Sequence, residues 1–507
     1  MHAAARLSAL SVVIFAAFAP AQAIEPQAPE KLITAEEAVL ISIRSRLTNF
    51  MVPAKPTQLQ KGAAIDRAGL AKFYATLGEQ ADEGNETGRP LWVGRTGLTD
   101  QARAALREIG NAAEWGLSPD DFDVPEHAAS GDAPLTPSEL VRLEMQTSLS
   151  ILKYARYARG GRMDPTDLSL DIDRKPPLLP ADVVLKGAHE ADNVAGFLQG
   201  LHPKHEQFER LRQALPKAQS EEEDERLRSN MDRWRWMPET LGDSYVWLNI
   251  PEFKLHVLED GKTVQFEKIV VGNPSTPTPV LSAEMTEIVF NPERIVPLSL
   301  IRKEVLPKLK GGNDFFGRTD TSVLDQYQIT VKRRGQPVDP STIDWKTVNP
   351  ATLTFVQAPG RTNILGKVQF LYPNDRGVYL HDTIISSQLA RAVRAEGNKE
   401  PRVGNPDRVA ARLLAKSNGM SGAKVNQLVG GGTTSRVKLD TPIPIHMTYF
   451  TAVVDEQGKV QTFNDVYKLD GRGKPDDAAA ASPAPAAGTA PIPSRKPLNR
   501  NLAATVP

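Results

Sequence analysis

No cysteine occurs anywhere in the 507 residues. Disulfide staples, thiolate nucleophiles and thiolate metal sites are all excluded by that one absence. An excess of either charge is missing too, with 61 Lys and Arg against 61 Asp and Glu. A balanced chain has no sequence-independent pull toward nucleic acid or anionic lipid, so no nucleic-acid partner is expected and recognition must be local. Long hydrophobic runs are lacking beyond the first twenty residues, so no membrane span is expected after that point.

The two ends carry what signals there are. Arg6, an apolar run from Leu7 to Ala19, and Ala21-Gln22-Ala23 form a signal-peptide layout over residues 1–23. The mature chain is then expected to begin near Ile24 and to work in the periplasm, free of the membrane after cleavage. An N-terminal anchor is the alternative, disfavoured because the run is short and Pro20 follows it. Residues 471–507 turn to Ala, Pro and Gly, a composition that cannot bury enough apolar area to offset ordering, and they predict a disordered tail.

Between the ends the periodicity changes once. Residues 24–218 read as a helical domain. Thr99 can cap a helix carrying Leu106, Ile109 and Ala113 that ends near Gly116. Thr136-Pro137-Ser138-Glu139 is a capping box with proline at the first helical position, and Val141, Met145, Leu149 and Leu152 follow as one face, stopped by Gly160-Gly161. The acidic run from Glu221 to Glu225 falls in an expected linker over 219–236, as a solvated face.

From Tyr245 the period is two. Phe253, Leu255 and Val257 alternate, Asp260-Gly261 makes a hairpin turn, and Val264 and Phe266 return on the partner strand. Ile288–Phe290, Val368–Leu371 and Pro444–Val454 are further β-rich stretches, while Leu389–Arg394 and Arg408–Ala415 look helical. The expected class is α+β: a helical domain, then a β-rich domain over 237–470.

Ordered motifs across both halves give a more specific expectation. They include Leu91-Trp92-Val93, Gly161-Arg162 with Asp164-Pro165, and Asn230 through Trp236. Leu248-Asn249-Ile250-Pro251, Pro277-Thr278-Pro279-Val280, Tyr379-Leu380-His381-Asp382-Thr383, Arg402-Val403 and Pro442 to His446 follow. In this order the chain resembles the large periplasmic L,D-transpeptidases, murein enzymes with a helical scaffold domain. The resemblance implies a place in peptidoglycan biosynthesis, cell-wall biogenesis and cell shape. In that family a cysteine thiolate, helped by a histidine, attacks a stem tetrapeptide and expels D-alanine through a thioester.

By the same resemblance His381 matches the family histidine. Aligned without a gap into Arg402-Val403, the Ser-Ser-Gly-Cys or Ser-His-Gly-Cys motif falls on Gly397, Asn398, Lys399 and Glu400. Glu400 therefore occupies the nucleophile position. Its carboxylate would yield an anhydride, less stable than the amide attacked. Lys399 stands where the family has glycine, Ile384 follows His-Asp-Thr where proline is usual, and Arg294 and Ile295 follow an Asn-Pro pair that usually has a tryptophan near it. The resemblance thus implies a transpeptidase fold without its chemistry: a pseudoenzyme whose partners are peptidoglycan stem peptides or cell-wall synthases, with His381 vestigial. An active transpeptidase or hydrolase of altered chemistry is the alternative. No cofactor is implied, and His381, Asp382 and Glu400 have no common metal-ligand spacing. His202 and His205, split by Pro203, are read as loop packing, Asn249 and Asp455 as structural, and Arg233–Trp236 as an inter-domain seam.

Overall fold

The start signal at Thr136 forms as read. In the computed structural model, its hydroxyl accepts from the Glu139 amide while the Glu139 carboxylate reaches back, opening a helix from Pro137 to Gly160. The structure describes Ser42 and residues 58–81, 90–94, 96–125, 135–311 and 320–472. The expected leader and nearly all of the expected tail lie outside the described residues. No helix among the described residues is long and apolar enough to cross a membrane.

Among the described residues the longer helices of the first half are α1 (Gln58–Ala81), α2 (Asp100–Gly110), α3 (Pro137–Gly160), α4 (Ala181–Glu190), α5 (Val194–Gln199), α6 (Glu206–Ala214) and α7 (Glu221–Arg235). A two-strand pairing of β1 (Val93–Gly94) with β2 (Gly97–Leu98) lies between α1 and α2. Thr99 caps α2 by accepting from the Ala102 amide. The core gathers Tyr74, Trp92, Leu106, Ile109, Val141, Ile151 and Leu185. One carboxylate is sealed inside it. Glu144, fully buried, accepts from the Leu91 amide at 2.7 Å, the Trp92 amide at 2.8 Å and the Tyr74 hydroxyl.

The expected linker is α7, a continuous helix that packs on both halves. Ser220 caps it by accepting from the Glu223 amide, and the acidic run fills its first turn, where the helix dipole favours negative charge. Its last turn is the seam expected of Arg233–Trp236. Trp234 stacks on Phe450 at 4.6 Å, Arg233 pairs with Asp470 at 2.7 Å, and the Trp236 indole donates to the Gly160 carbonyl at 2.8 Å. Arg235 is buried and donates to Asp232 at 3.0 Å, the Ala158 carbonyl at 3.2 Å and the Trp115 carbonyl at 2.6 Å. Arg235→Ala leaves Asp232 to Arg162 alone and unpairs two buried carbonyls, so it is expected to cost about 2–4 kcal/mol, read by urea denaturation. A loss under about 1 kcal/mol would show that the seam does not depend on this guanidinium.

The second half is a mixed sheet that closes on itself. Its strands are β3 (Ser244–Asn249), β4 (Lys254–Glu259), β5 (Lys262–Gly272), β6 (Leu281–Phe290), β11 (Val368–Leu371), β12 (Leu380–Asp382), β14 (Arg402–Val403) and β15 (Ser435–Thr448). The order β5-β14-β12-β11-β6-β15-β3-β4 returns to β5, and β13 (Ala395–Gly397) pairs with the end of β5 beyond the stretch that pairs with β4. Asp260 and Gly261 take φ of 49° and 76°, the left-handed pair a tight hairpin between β4 and β5 requires. Helices α8 (Pro406–Asn418) and α9 (Gly422–Gly430) follow β14, with Val409, Leu413 and Leu414 of α8 in the sheet's core. Strands β16 (Ala452–Val454) and β17 (Val460–Thr462) pair beside α6.

Two features depart from the expectation. The helix expected over Leu389–Arg394 is a single turn, Ser386–Leu389, set further back. Arg394 is needed in extended backbone, where its carbonyl accepts from Val271 and its guanidinium holds the carbonyls of Phe253 and Ile269. The second is a lobe inserted between β6 and β11. It holds β7 (Arg294–Ile295), β8 (Ile329–Arg333), β9 (Gln336–Pro337) and β10 (Thr354–Gln357) in the order β7-β10-β8-β9, with short helices between β7 and β8. Its own core includes Val296, Ile301, Val305, Trp345 and Phe355. The chain enters by β7 and leaves by β10 at one seam, since Arg294 pairs directly with Gln357.

Candidate functional site

The site is fixed by how β5 ends. Strand β13 runs parallel to it, with Gly397 beside Gly272, and β14 runs antiparallel to it on the other side, with Arg402 beside Val270. Residues 398–401 must therefore bridge the two strands, and Glu400 is carried in that bridge. The bridge is tightly seated: a Cβ on Gly397 would meet the Val271 carbonyl at 2.9 Å, and one on Gly272 would meet the Thr276 carbonyl at 2.0 Å. Asn273 secures Gly397 by donating both its amide and its side-chain NH2 to the Gly397 carbonyl, each at 2.9 Å.

His381 is brought to this bridge by the sheet register. It pairs with Arg402 across β12 and β14, and its amide donates to the Pro401 carbonyl at 3.3 Å. The structure thus places His381 and Glu400, distant by nineteen positions in the chain, at one locus. They are not bonded to each other: among the described residues no hydrogen bond or ion pair joins them. Burial pushes the His381 imidazole down to about 3, and the charges of Arg402 and Arg294 push the same way. It is a neutral ring at any working pH. Its Nδ1 is buried without a partner, and Tyr379 packs against it at 5.9 Å.

Asp382, next along β12, is structural. Its carboxylate accepts from the Lys367 amide at 2.8 Å and fills the space a side chain on Gly366 would need, where φ is 65°. Lys399 reaches out of the bridge, its ammonium donating to the Arg376 carbonyl at 3.1 Å. The loop it grips, through Pro373, Asn374 and Asp375, walls a cleft of about 480 Å³ shared with Asp173, Arg174 and Trp236. Among the described residues no three His, Asp or Glu side chains group as metal ligands.

Two cations complete the site, and sequence reasoning gave neither a role. In sequence Arg402 is only part of a matching motif, and Arg294 is only a drift from the family pattern. Buried at 7% exposure, it is held low by that burial, while Tyr379, Glu304 and Glu400 oppose the shift. Arg402 is likewise lowered by burial against the charges of Glu396 and Glu400. Burial first, and then the Glu400 charge, hold the Tyr372 and Tyr379 phenols up, so both stay protonated.

The other sequence candidates fall elsewhere, as packing. His202 stacks on Trp115 at 4.2 Å and meets the Tyr154 hydroxyl at 3.0 Å, while His205 lies against Trp234. Asn249 is buried and exchanges hydrogen bonds with the Phe450 backbone, and Asp455 caps a turn by accepting from Gln457 and Lys459.

Residues 69–215 match the scaffold domain family, and residues 243–397 match the L,D-transpeptidase catalytic domain family. The second match stops at Gly397, just short of the bridge. A Haemophilus influenzae protein named "Putative L,D-transpeptidase" is 27% identical over 287 residues, covering 56% of this chain and 56% of that protein. Among solved structures, a cysteine-to-serine variant of Enterococcus faecium L,D-transpeptidase is similar over 41% of this chain and 50% of that one, at 13% identity and a TM-score of 0.16. At that score the two superpose too poorly to support an argument. The two family matches together span more than half of the chain and lie in the order of its helical and β-rich halves. On that ground residues 69–215 are a scaffold-type domain and residues 243–397 an L,D-transpeptidase-type catalytic domain.

Proposed function

We propose that this protein is an exported, periplasmic pseudoenzyme of cell-wall biogenesis, binding peptidoglycan stem peptides or the synthases that handle them without transferring an acyl group. The observation that carries the reading is Glu400 in the bridge beside His381, in a chain with no cysteine at all. A carboxylate attacking a peptide carbonyl must climb to an anhydride, whereas a thiolate climbs only to a thioester. Lys399 and Pro401 flank it. The first adds a side chain where backbone N–H groups would have to approach a substrate, and the second has no N–H to donate. His381, neutral and without a nucleophile to deprotonate, is vestigial as a base.

Intact-mass measurement after exposure to a carbapenem, which acylates thiol transpeptidases, is expected to show the unmodified mass alone. A stoichiometric adduct would sink the reading. Purified sacculi are expected to retain the protein above an unrelated control, and no retention would remove peptidoglycan as the ligand. The rival reading, a hydrolase in which Glu400 and His381 activate water, needs the two groups to cooperate, and they share no hydrogen bond. It requires D-alanine release from muropeptides that disappears in Glu400→Ala.

A further inference from the structure

Three charged side chains around the bridge make no hydrogen bond or ion pair with any described residue: Arg294, Arg402 and Glu400. For Arg294 this is costly, because the side chain is more than nine-tenths buried and its Nη1 is sealed without a partner. A guanidinium cannot shed its charge, so it must find an acceptor or bear the full loss of hydration. Elsewhere the buried arginines are engaged: Arg235 makes four bonds, Arg394 three and Arg174 two.

Two further buried atoms lack partners in the same place. Gln357, directly across from Arg294 on β10, donates through its NH2 to the carbonyls of Tyr327 and Thr362, yet its Oε1 accepts nothing. His381, directly across from Arg402, has its Nδ1 unbonded. Arg294 and Gln357 belong to the seam by which the inserted lobe joins the sheet, and His381 and Arg402 to the sheet beneath. The two arginines share their surroundings, since the Glu400 charge acts on both and both act on the His381 imidazole.

We propose that Arg294 and Arg402 frame a carboxylate-binding pocket that takes the free terminal carboxylate of a bound peptide beside His381. The proposal rests on the reading of the protein as a stem-peptide binder and says which end of the peptide it recognises. Charge selects the ligand class. The two guanidiniums already face the charges of Glu400, Glu396 and Glu304, so a monoanionic carboxylate fits where a dianionic phosphate would overshoot. Geometry points the same way, since the planar fork of an arginine matches a carboxylate with two parallel bonds. The unpaired Gln357 Oε1 suits the last peptide N–H, which any C-terminal residue offers beside its carboxylate. Glu400 sets the polarity of the site: it counters both arginines without bonding either, so their forks stay open to a second carboxylate.

The test is calorimetric titration of the full chain with a stem tetrapeptide bearing a free C-terminus, and with the same peptide as its C-terminal amide. The acid is expected to bind at least tenfold tighter than the amide. Arg294→Gln should bring the acid down to the affinity of the amide and leave the amide unchanged. Arg402→Gln, at a half-buried position where folding is less exposed to the change, should do the same in part. Glu400→Gln removes a like charge and should tighten the acid severalfold. Acetate at millimolar concentration is expected to compete with the acid, and free D-alanine likewise if a lone amino acid can supply the carboxylate. Equal binding of acid and amide overturns the proposal. If sacculi are retained while acid and amide bind alike, only the carboxylate pocket falls; if neither peptide nor sacculi bind, the stem-peptide reading falls with it.

Discussion

Glu144→Ala is expected to lower the thermal midpoint of the helical half by roughly 10 °C, a loss of about 3–5 kcal/mol. The carboxylate sits two turns into α3 and holds the Leu91 and Trp92 amides and the Tyr74 hydroxyl, all of them buried residues. Alanine leaves two backbone donors unpaired and a cavity besides, and each unpaired buried donor costs about 1–3 kcal/mol. Tyr74 is partly spared, because Ser148 lies 3.1 Å from its hydroxyl. A shift of under about 2 °C in differential scanning calorimetry would show that the β1 edge finds other partners.

The same residue gives the stability a pH dependence of definite sign. Burial pushes the Glu144 carboxyl up to about 7, with the hydrogen bonds from Tyr74, Leu91 and Trp92 opposing it. In the unfolded chain an ordinary glutamate titrates near ~4.3. The folded form therefore holds the proton more tightly, and its stability advantage is complete below the unfolded value. That advantage is lost as pH rises toward 7, by on the order of 3 kcal/mol, and is flat above. Glu144→Gln fixes the neutral form, so denaturation curves of this variant between pH 5 and 7 should lose that slope. A slope identical to that of the unaltered protein would assign it to other groups.

How much of this was legible depended on the length scale of each signal. The capping box at Thr136, the hairpin at Asp260-Gly261 and the cap at Thr99 are local, decided by residues three or four apart, and each forms where the sequence places it. The inserted lobe was not legible. Its strands have two to five residues, too few to display a period of two, and Arg294–Ile295 acquires its strand character from a partner sixty positions away. The linker failed differently: charge density in the first turn of α7 hid a last turn that is buried from Asn230 onward. At the site, the meeting of His381 with the 398–401 bridge follows from alignment to a family and is matched by the register of β12 with β14. The part played by Arg294 was invisible because a lone arginine in a sequence carries no sign of being buried without a partner. That fact exists only once β7 and β10 are paired.

Restoring a thiol should restore covalent chemistry in part, which gives the largest change expected at the site. The double variant Lys399→Gly with Glu400→Cys is expected to take up a carbapenem over hours to a full mass shift, Glu400→Cys alone more slowly, and the unaltered protein not at all. A thiol at position 400 stands in the field of Arg294 and Arg402, whose guanidiniums favour thiolate, the reactive form. His381 lies across from Arg402 with Nδ1 free, and as a neutral ring it is able to accept the proton. Removing Lys399 frees the bridge from its grip on the Arg376 carbonyl and lets backbone approach the acylated carbon. Pro401 still lacks an N–H, so the tetrahedral oxyanion keeps fewer donors and acylation stays slow. Alkylation with iodoacetamide supplies the control. A thiol that alkylates readily while no carbapenem adduct forms in either variant would mean that residue 400 is not where the nucleophile of this fold belongs, and the assignment of Glu400 would be lost.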